Sequence, residues 1–255
     1  MSVEDRPSSR VTFLGAPYDL APKEAVLAAL AGRGEDAPFR YVATPNVDHL
    51  VRLRREPQLL PLYREAWQSW CDSHIVRRLG FLFGLRLPHL NGTDVVERIF
   101  ADILQPGDRI AVIAARPSVL DALRKSVPWL EIAGHCPPMG FIEDEAAVAD
   151  SVRFVRENRA RLLFIAVGAP QSERLAHRLM HAEAVTGTGL CIGAAMEFVS
   201  GTKTRAPKAV QNLGFEWLHR LASEPRRLWR RYVLGVGPLM ALVLREAVIR
   251  RRAGP

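Results

Sequence analysis

Between Gly107 and Ile192 the chain alternates strand-length apolar runs with helical runs, and this alternation constrains its fold more than any other feature. Arg109–Ala115 is apolar over a strand's length, and Pro117 opens a helix to Ser126. Leu130–Ala133 is a short strand, and Glu143–Asn158 an amphipathic helix. Leu162–Val167 is a buried strand, Pro170 starts a helix to Ala184, and Leu190-Cys191-Ile192 is a further strand. Strands apolar on both faces need cover on both faces, and a strand–helix–strand order supplies it through right-handed crossovers. The expectation is an α/β chain with a mainly parallel sheet. In such a sheet a ligand sits outside the carboxyl ends of the strands, which singles out the small-residue turn Gly193-Ala194-Ala195.

The first hundred residues are less regular. Residues 1–10 are polar and read as a loose terminus. Val11–Leu14 is a candidate strand, Pro22–Leu30 a helix with Pro at its start, and Phe39–Ala43 a strand ending at Thr44-Pro45-Asn46. Val47–Arg55 and Gln58–Ser69 read as helices broken by Pro57. Cys71-Asp72-Ser73 precedes a helical run from His74 to Phe83, and Leu90–Asp94 is a turn before a helix from Val95 to Leu104.

Charge is uneven along the chain. Residues 205–255 hold eleven Lys/Arg and three Glu, so they carry the whole formal charge of +8 and residues 1–204 are net neutral. Arg226, Arg227, Arg230 and Arg231 share one helical face, with Leu228, Trp229, Tyr232 and Val233 on the other. A solvated arginine face over a docked apolar one accounts for this pattern, and so does a helix at an anionic membrane surface. Val210, Leu213, Gly214, Trp217 and Leu221 form a second stripe before it. No nucleic-acid recognition motif accompanies the basic tail, and the neutral body argues against that partner. Cys71, Cys136 and Cys191 are far apart and suit a reducing compartment. No secretory signal is read at the start, and the run from Tyr232 to Leu244 is too short to span a bilayer.

Several short pieces, in order, carry a resemblance. They are Thr44-Pro45-Asn46 with Asp48-His49-Leu50; Cys71-Asp72-Ser73; Asn91-Gly92-Thr93-Asp94; and Gly168-Ala169-Pro170-Gln171-Ser172-Glu173. Gly193 to Phe198 follows, with Gly201-Thr202 and Arg205-Ala206-Pro207. Leu213 to Leu218, Glu224 to Arg227 and Arg230-Arg231-Tyr232 complete the set. Together they resemble the WecG/TagA/CpsF family of bacterial glycosyltransferases over nearly the whole chain.

The resemblance implies a single Rossmann-like domain, here residues 11–204, with a basic helical appendage at 205–255 that completes the site near the membrane. It implies an inverting, metal-independent enzyme needing no cofactor. That enzyme takes a sugar from a UDP-sugar and adds it to a sugar on a polyprenyl-diphosphate carrier, at the cytoplasmic face of the cell membrane. It makes Asp72 the base, with Thr44 and Asn46 as neighbouring polar contacts. Asn91, Gly92, Asp94, Gln171, Glu173, Gly193, Ala194 and Glu197 become substrate-binding positions. Arg205, Arg226, Arg227, Arg230 and Arg231 face the lipid diphosphate or the membrane.

The residues themselves leave alternatives open. Asp72 also reads as a cap of the helix from His74. Without a metal, diphosphate charge falls to arginines and helix N-termini, and Arg116 before Pro117 is so placed. His177 and His181 stand four apart, but a solvated helix face is expected there rather than a metal pair. Ala114-Ala115 stand where the family has glycines, His89 where it has Arg, Ser172 where it has Gln and Glu197 where it has Asp. A membrane-surface scaffold that tolerates these departures is the competing reading. Self-association stays open.

Overall fold

The computed structural model describes residues 9–207, 210, 216–223 and 225–253. Its centre is a six-stranded parallel sheet. In chain order the strands outside and inside this sheet are β1 (Arg10–Phe13), β2 (Ala16–Asp19), β3 (Arg40–Ala43), β4 (Gln68–Ser69), β5 (Arg109–Ala114), β6 (Glu131–His135), β7 (Leu162–Ala166) and β8 (Thr188–Cys191). The order across the sheet is β4-β3-β8-β7-β5-β6, while β1 and β2 form a separate antiparallel hairpin. The α/β reading with a parallel sheet and a C-terminal helix therefore holds. The central strands are buried throughout, as Ile110–Ala114, Leu162–Ile165 and Thr188–Cys191 illustrate.

The helices are α1 (Lys23–Ala31), α2 (Val47–Arg55), α3 (Pro61–Arg64), α4 (His74–Leu82), α5 (Gly92–Arg98, running on into a π-turn at Ile99–Ile103), α6 (Pro117–Ser126), α7 (Glu145–Glu157), α8 (Gln171–Met180), α9 (Ala195–Val199), α10 (Glu216–Ser223) and α11 (Pro225–Ala253). Two apolar layers cover the sheet. One gathers Tyr41, Leu50, Ile113, Ile165 and Leu175, and the other Val42, Trp70, Val112, Phe164 and Met196.

Four sequence expectations change. Gln58–Ser69 is not a helix. It breaks into a 3-10 turn at Pro57–Leu59, the short α3, and β4, which pairs with Val42 and Ala43. The reason is tertiary, because Ser69 is fully buried and its N–H donates to the Asp19 carboxylate at 2.6 Å. Arg10, placed in the loose terminus, belongs to β1. It pairs with Asp19 at 2.6 Å and donates to the carbonyls of Arg64, Ala66 and Trp67. The hairpin is thereby tied to the sheet's edge. The α5 helix starts at Gly92, three residues early, because Asn91 caps it by accepting from Thr93 and Asp94 N–H. The helix after Pro170 ends at Met180, before Ala184.

The tail holds the longest element. The α11 helix runs through Gly235, Gly237 and Pro238 without ending. A proline inside a helix removes one backbone donor and ordinarily kinks it. Here the Pro238 carbonyl accepts from Arg54 of α2 at 3.1 Å, and α11 lies along α2. Leu242 is buried in the core, with Leu239 and Val243 packed beside it. Glu246 is buried too, accepting from Leu14 N–H at 3.2 Å and from Arg250 at 2.7 Å.

The docked side of α11 is thus its Leu239–Arg250 portion. About a third of a turn away, Trp229, Val233, Val236, Met240 and Leu244 lie exposed at i, i+4, i+7, i+11 and i+15 spacing. The side chains of Arg227, Leu228, Arg230, Arg231 and Tyr232, the residues Leu213, Gly214 and Glu224, and the side chain of Trp217 lie outside the described residues. Leu242→Ala should loosen α11 at a cost of about 2–5 kcal/mol for a buried leucine. Hydrogen exchange would show this as faster exchange across residues 236–250, with the sheet strands unaffected.

Candidate active site at the carboxyl edge of the sheet

All six strands of the sheet point the same way, so their carboxyl ends share one edge. After β5 the chain turns outward to β6, and after β7 it turns the other way to β8. Such a reversal opens a crevice between adjacent strand ends. The sequence-assigned residues from Thr44 to Arg205 lie along this edge in two groups, while Arg226 is on α11 and the side chains of Arg227, Arg230 and Arg231 are outside the described residues.

The first group lies at the ends of β3, β4 and β8. Thr44 is buried and its hydroxyl donates to the Cys191 carbonyl at 3.0 Å, joining β3 to β8. Gly92 faces the Thr44 methyl, which a side chain at Gly92 would meet at 3.8 Å. The Gly92 N–H donates to Asp72 Oδ1 at 3.0 Å. Asp72 does not cap α4; Ser73 does, accepting from Val76 N–H at 3.3 Å. The carboxylate is thus held at the sheet edge by a backbone amide from the start of α5, beside Thr44.

Asn46 caps α2, accepting from Asp48 N–H at 3.0 Å. Its own N–H donates to His49 Nδ1 at 3.2 Å, and His49 Nε2 lies 3.4 Å from Glu173 Oε1. Nδ1 also lies 2.9 Å from Asn46 Oδ1, so the imidazole meets both polar groups of the Asn46 cap on one side and the carboxylate on the other. His49 and Glu173 are both buried, and Glu173 Oε2 has no hydrogen-bond partner among the described residues. Glu173 therefore braces the Thr44-Pro45-Asn46 loop from beneath. His49, which joins Asn46 to Glu173, is a candidate site residue that reading the residues singly missed. The signal was its place three positions after Asn46, the spacing of a capping box.

The second group lies at the ends of β5 and β7. Arg116 is the first residue of the turn into α6, and its side chain is 62% exposed. It donates to Glu197 Oε1 at 2.5 Å, and Lys203 Nζ is 2.8 Å from Glu197 Oε2. Glu197 lies on α9, reached through Gly193, whose backbone takes a positive φ of 55°, and Ala194, the residue before α9. Gln171 opens α8 with its side-chain amide against the carbonyls of Ala169 and Gly168, at 3.1 and 3.3 Å. Ser172, where the family has Gln, is buried, and its hydroxyl donates to the Ile165 carbonyl at 3.3 Å. That departure sits in the β7–α8 packing.

Between the two groups Arg205 closes the edge. Its guanidinium lies 2.7 Å from Asp94 and 2.9 Å from Glu97. Burial disfavours the charge, but the hydrogen bonds and charges of Asp94 and then Glu97 outweigh it and raise the pKa. Asp94 is therefore engaged by the residue assigned to the lipid diphosphate. Arg226 is exposed on α11.

His89 lies opposite Cys71, the residue before Asp72. It bridges to Cys71 in the backbone and stacks on His74 with ring centroids 3.7 Å apart. Burial first, then His74 and Arg77, push its imidazole down to about 4 against the pull of Asp94. The arginine of the family is here a neutral ring near pH 7.

A parallel sheet of this strand order, with helices on both faces and a reversal between β5 and β7, is a Rossmann-like α/β arrangement. Residues 11–253 match the model of the glycosyl transferase WecG/TagA/CpsF family. The chain belongs to that family and is a glycosyltransferase of its type.

The depressed His89 pKa makes a stability prediction. A folded imidazole that resists protonation favours folding fully above its unfolded value of about 6.5, and that contribution is lost as pH falls toward 4. Denaturation midpoints should fall across this window, and His89→Gln should flatten the fall. His135, also pushed down by burial, leaves a residual slope in the variant.

Proposed function

We propose that the chain is an inverting, metal-independent hexosyltransferase. It moves a sugar of the N-acetylmannosamine type, its uronic acid or glucose from a UDP-sugar to a sugar on an undecaprenyl-diphosphate carrier. The setting is cell-surface polysaccharide synthesis at the inner face of the membrane. The observation that carries this reading is Asp72, which is relieved of capping by Ser73 and held by Gly92 N–H beside Thr44.

The reaction follows from these positions. Asp72 takes the proton of the acceptor hydroxyl as its oxygen bonds to the anomeric carbon from the face opposite UDP. The bond from that carbon to the β-phosphate oxygen breaks, and UDP leaves. The departing diphosphate gains charge that must be met by oriented donors. Arg116 turns from Glu197 to meet it, with the N-terminus of α6 behind. An exposed pair such as Arg116–Glu197 is worth about 1 kcal/mol or less, so the exchange costs little. Thr44 and Asn46 shape the acceptor side, and Glu173 steadies Asn46 through His49.

The α11 helix supplies the membrane contact. No helix among the described residues is long and apolar enough to cross a membrane. The stripe from Trp229 to Leu244 is exposed nonetheless, with Val233 at 62% and Leu244 at 64%, and Arg226, Arg245 and Arg251 are exposed on the same helix. Apolar side chains beside arginines suit the headgroup region of an anionic leaflet.

Asp72→Asn should leave UDP binding and the melting temperature nearly unchanged and lower single-turnover transfer by roughly two to four decades. Full activity in the variant would remove Asp72 from the base role. UDP binding without transfer by the parent, across a panel of UDP-sugars, would favour the scaffold reading. Val233→Gln, Val236→Gln and Met240→Gln together should weaken binding to anionic vesicles by about two decades, at ~1 kcal/mol for each partly inserted side chain. Unchanged vesicle binding would exclude the stripe as the contact.

A further inference from the structure

The α8 helix carries a second constellation, away from the crevice. His177 and His181 are one turn apart, and their ring centroids lie 4.6 Å from one another. Glu65, the residue after α3, lies against both. Its Oε2 is 2.9 Å from His177 Nε2 and 3.3 Å from His181 Nε2. One ligand atom from each of the three lies within 4.8 Å of the other two. The histidines are therefore not simply a solvated helix face, because a carboxylate from 112 residues away converges on them.

Position separates this cluster from the transfer site. Gln171 begins α8 at the carboxyl edge of the sheet, and His177 lies six residues on, about 9 Å down the helix axis. Glu65 precedes β4 by three residues, so it sits at the amino end of that strand. The three side chains thus occupy the edge of the sheet opposite the crevice, and they bridge α3 to α8. All are partly open to solvent, with His177 the most covered at 24% side-chain exposure and His181 the least at 59%.

We propose that Glu65, His177 and His181 form a binding site for a divalent transition-metal cation, of the Zn²⁺ class, that staples α3 to α8. Tetrahedral zinc with nitrogen and oxygen ligands at about 2.0–2.1 Å sets its ligand atoms roughly 3.3–3.4 Å apart. The His181–Glu65 separation already matches, and the His177–Glu65 separation opens by a few tenths of an ångström. Two imidazoles at i, i+4 spacing with one carboxylate supply three ligands, and solvent completes the fourth. Imidazole donors select Zn²⁺, Co²⁺, Ni²⁺ or Cu²⁺ over Mg²⁺ and Ca²⁺. The cation replaces two N–H donors competing for one carboxylate oxygen. Its effect is on stability and on the α3–α8 junction, since the reacting groups are at the other edge.

The test uses the full chain, stripped with chelator. Titration with Co²⁺ should give visible d–d absorption that saturates at one equivalent and is displaced by Zn²⁺. Excess Zn²⁺ should raise the melting temperature by several degrees, as expected for a ligand that binds only the folded state. Mg²⁺ should do neither. The His177→Gln/His181→Gln variant should lose the Co²⁺ bands and the thermal shift, and Glu65→Gln should weaken Co²⁺ binding at least tenfold. The absence of saturable Co²⁺ binding by the parent overturns the proposal. So does binding that survives in the double variant, which would assign the metal to other residues such as Cys136. Melting of both variants without metal shows whether they fold. Glycosyl transfer in excess chelator is read separately, so a failed metal site leaves the transferase reading standing, and the reverse also holds.

Discussion

The strand Thr188–Cys191 is the piece on which the sheet depends. It lies between β3 and β7, pairing Thr188, Gly189 and Leu190 with Arg40, Tyr41 and Val42 on one side and with Leu162, Leu163 and Phe164 on the other. Without it the sheet would be two fragments, β4-β3 and β7-β5-β6. Its fit is tight at two glycines. A side chain at Gly189 would meet the Phe39 ring at 2.7 Å, and one at Gly187, just before the strand and with φ of 95°, would run into the Ala160 carbonyl. Packed interiors do not absorb such intrusions without backbone shifts. The same strand delivers the segment 192–207 to the carboxyl edge. Correct closure of the sheet therefore also places Gly193, Glu197 and Arg205 after its carboxyl end.

Among the described residues, the cations along this edge named above are paired with carboxylates. Glu197 holds Arg116 and Lys203, while Asp94 and Glu97 hold Arg205. An anion brought to this edge under the proposed reaction would exchange partners with these carboxylates. The pairs differ in what that exchange costs. Arg116 is largely exposed and its ion pair is weak by solvent screening, whereas Arg205 is 15% exposed and fastened to two carboxylates. Arg116 is therefore the easier of the two to draw away from its carboxylate. The tail is similar: part of its positive charge, at Arg250, is spent on the buried Glu246 that fastens α11 beside Leu14.

Elements of the second half of the chain were legible because each strand is a contiguous apolar run bounded by turns, so local sequence and burial agree. The β4 strand was not legible. It is two polar residues inside a stretch with helical periodicity, and what makes it a strand is a buried carboxylate, Asp19, supplied from the hairpin. At the site, Asp72 and Ser73 are both capping residue types, and their order in the chain could not say which caps α4. The structure gave that role to Ser73. His177 and His181 were visible as a pair from spacing alone, but Glu65 was not, since no periodicity links it to them.

By itself the sequence determined the α/β class, the parallel sheet, the basic tail and, through the order of its short motifs, the family. These properties are written in runs of neighbouring residues, where pattern and local energetics coincide. Tertiary structure alone decided which carboxylate meets which cation, that Asp72 accepts from Gly92, which itself faces Thr44, and that His49 links Asn46 to Glu173. It also turned Trp229, Val233 and Met240 outward on a helix anchored by Leu242. These contacts join residues tens to more than a hundred positions apart, and only the closed sheet brings them within hydrogen-bonding distance.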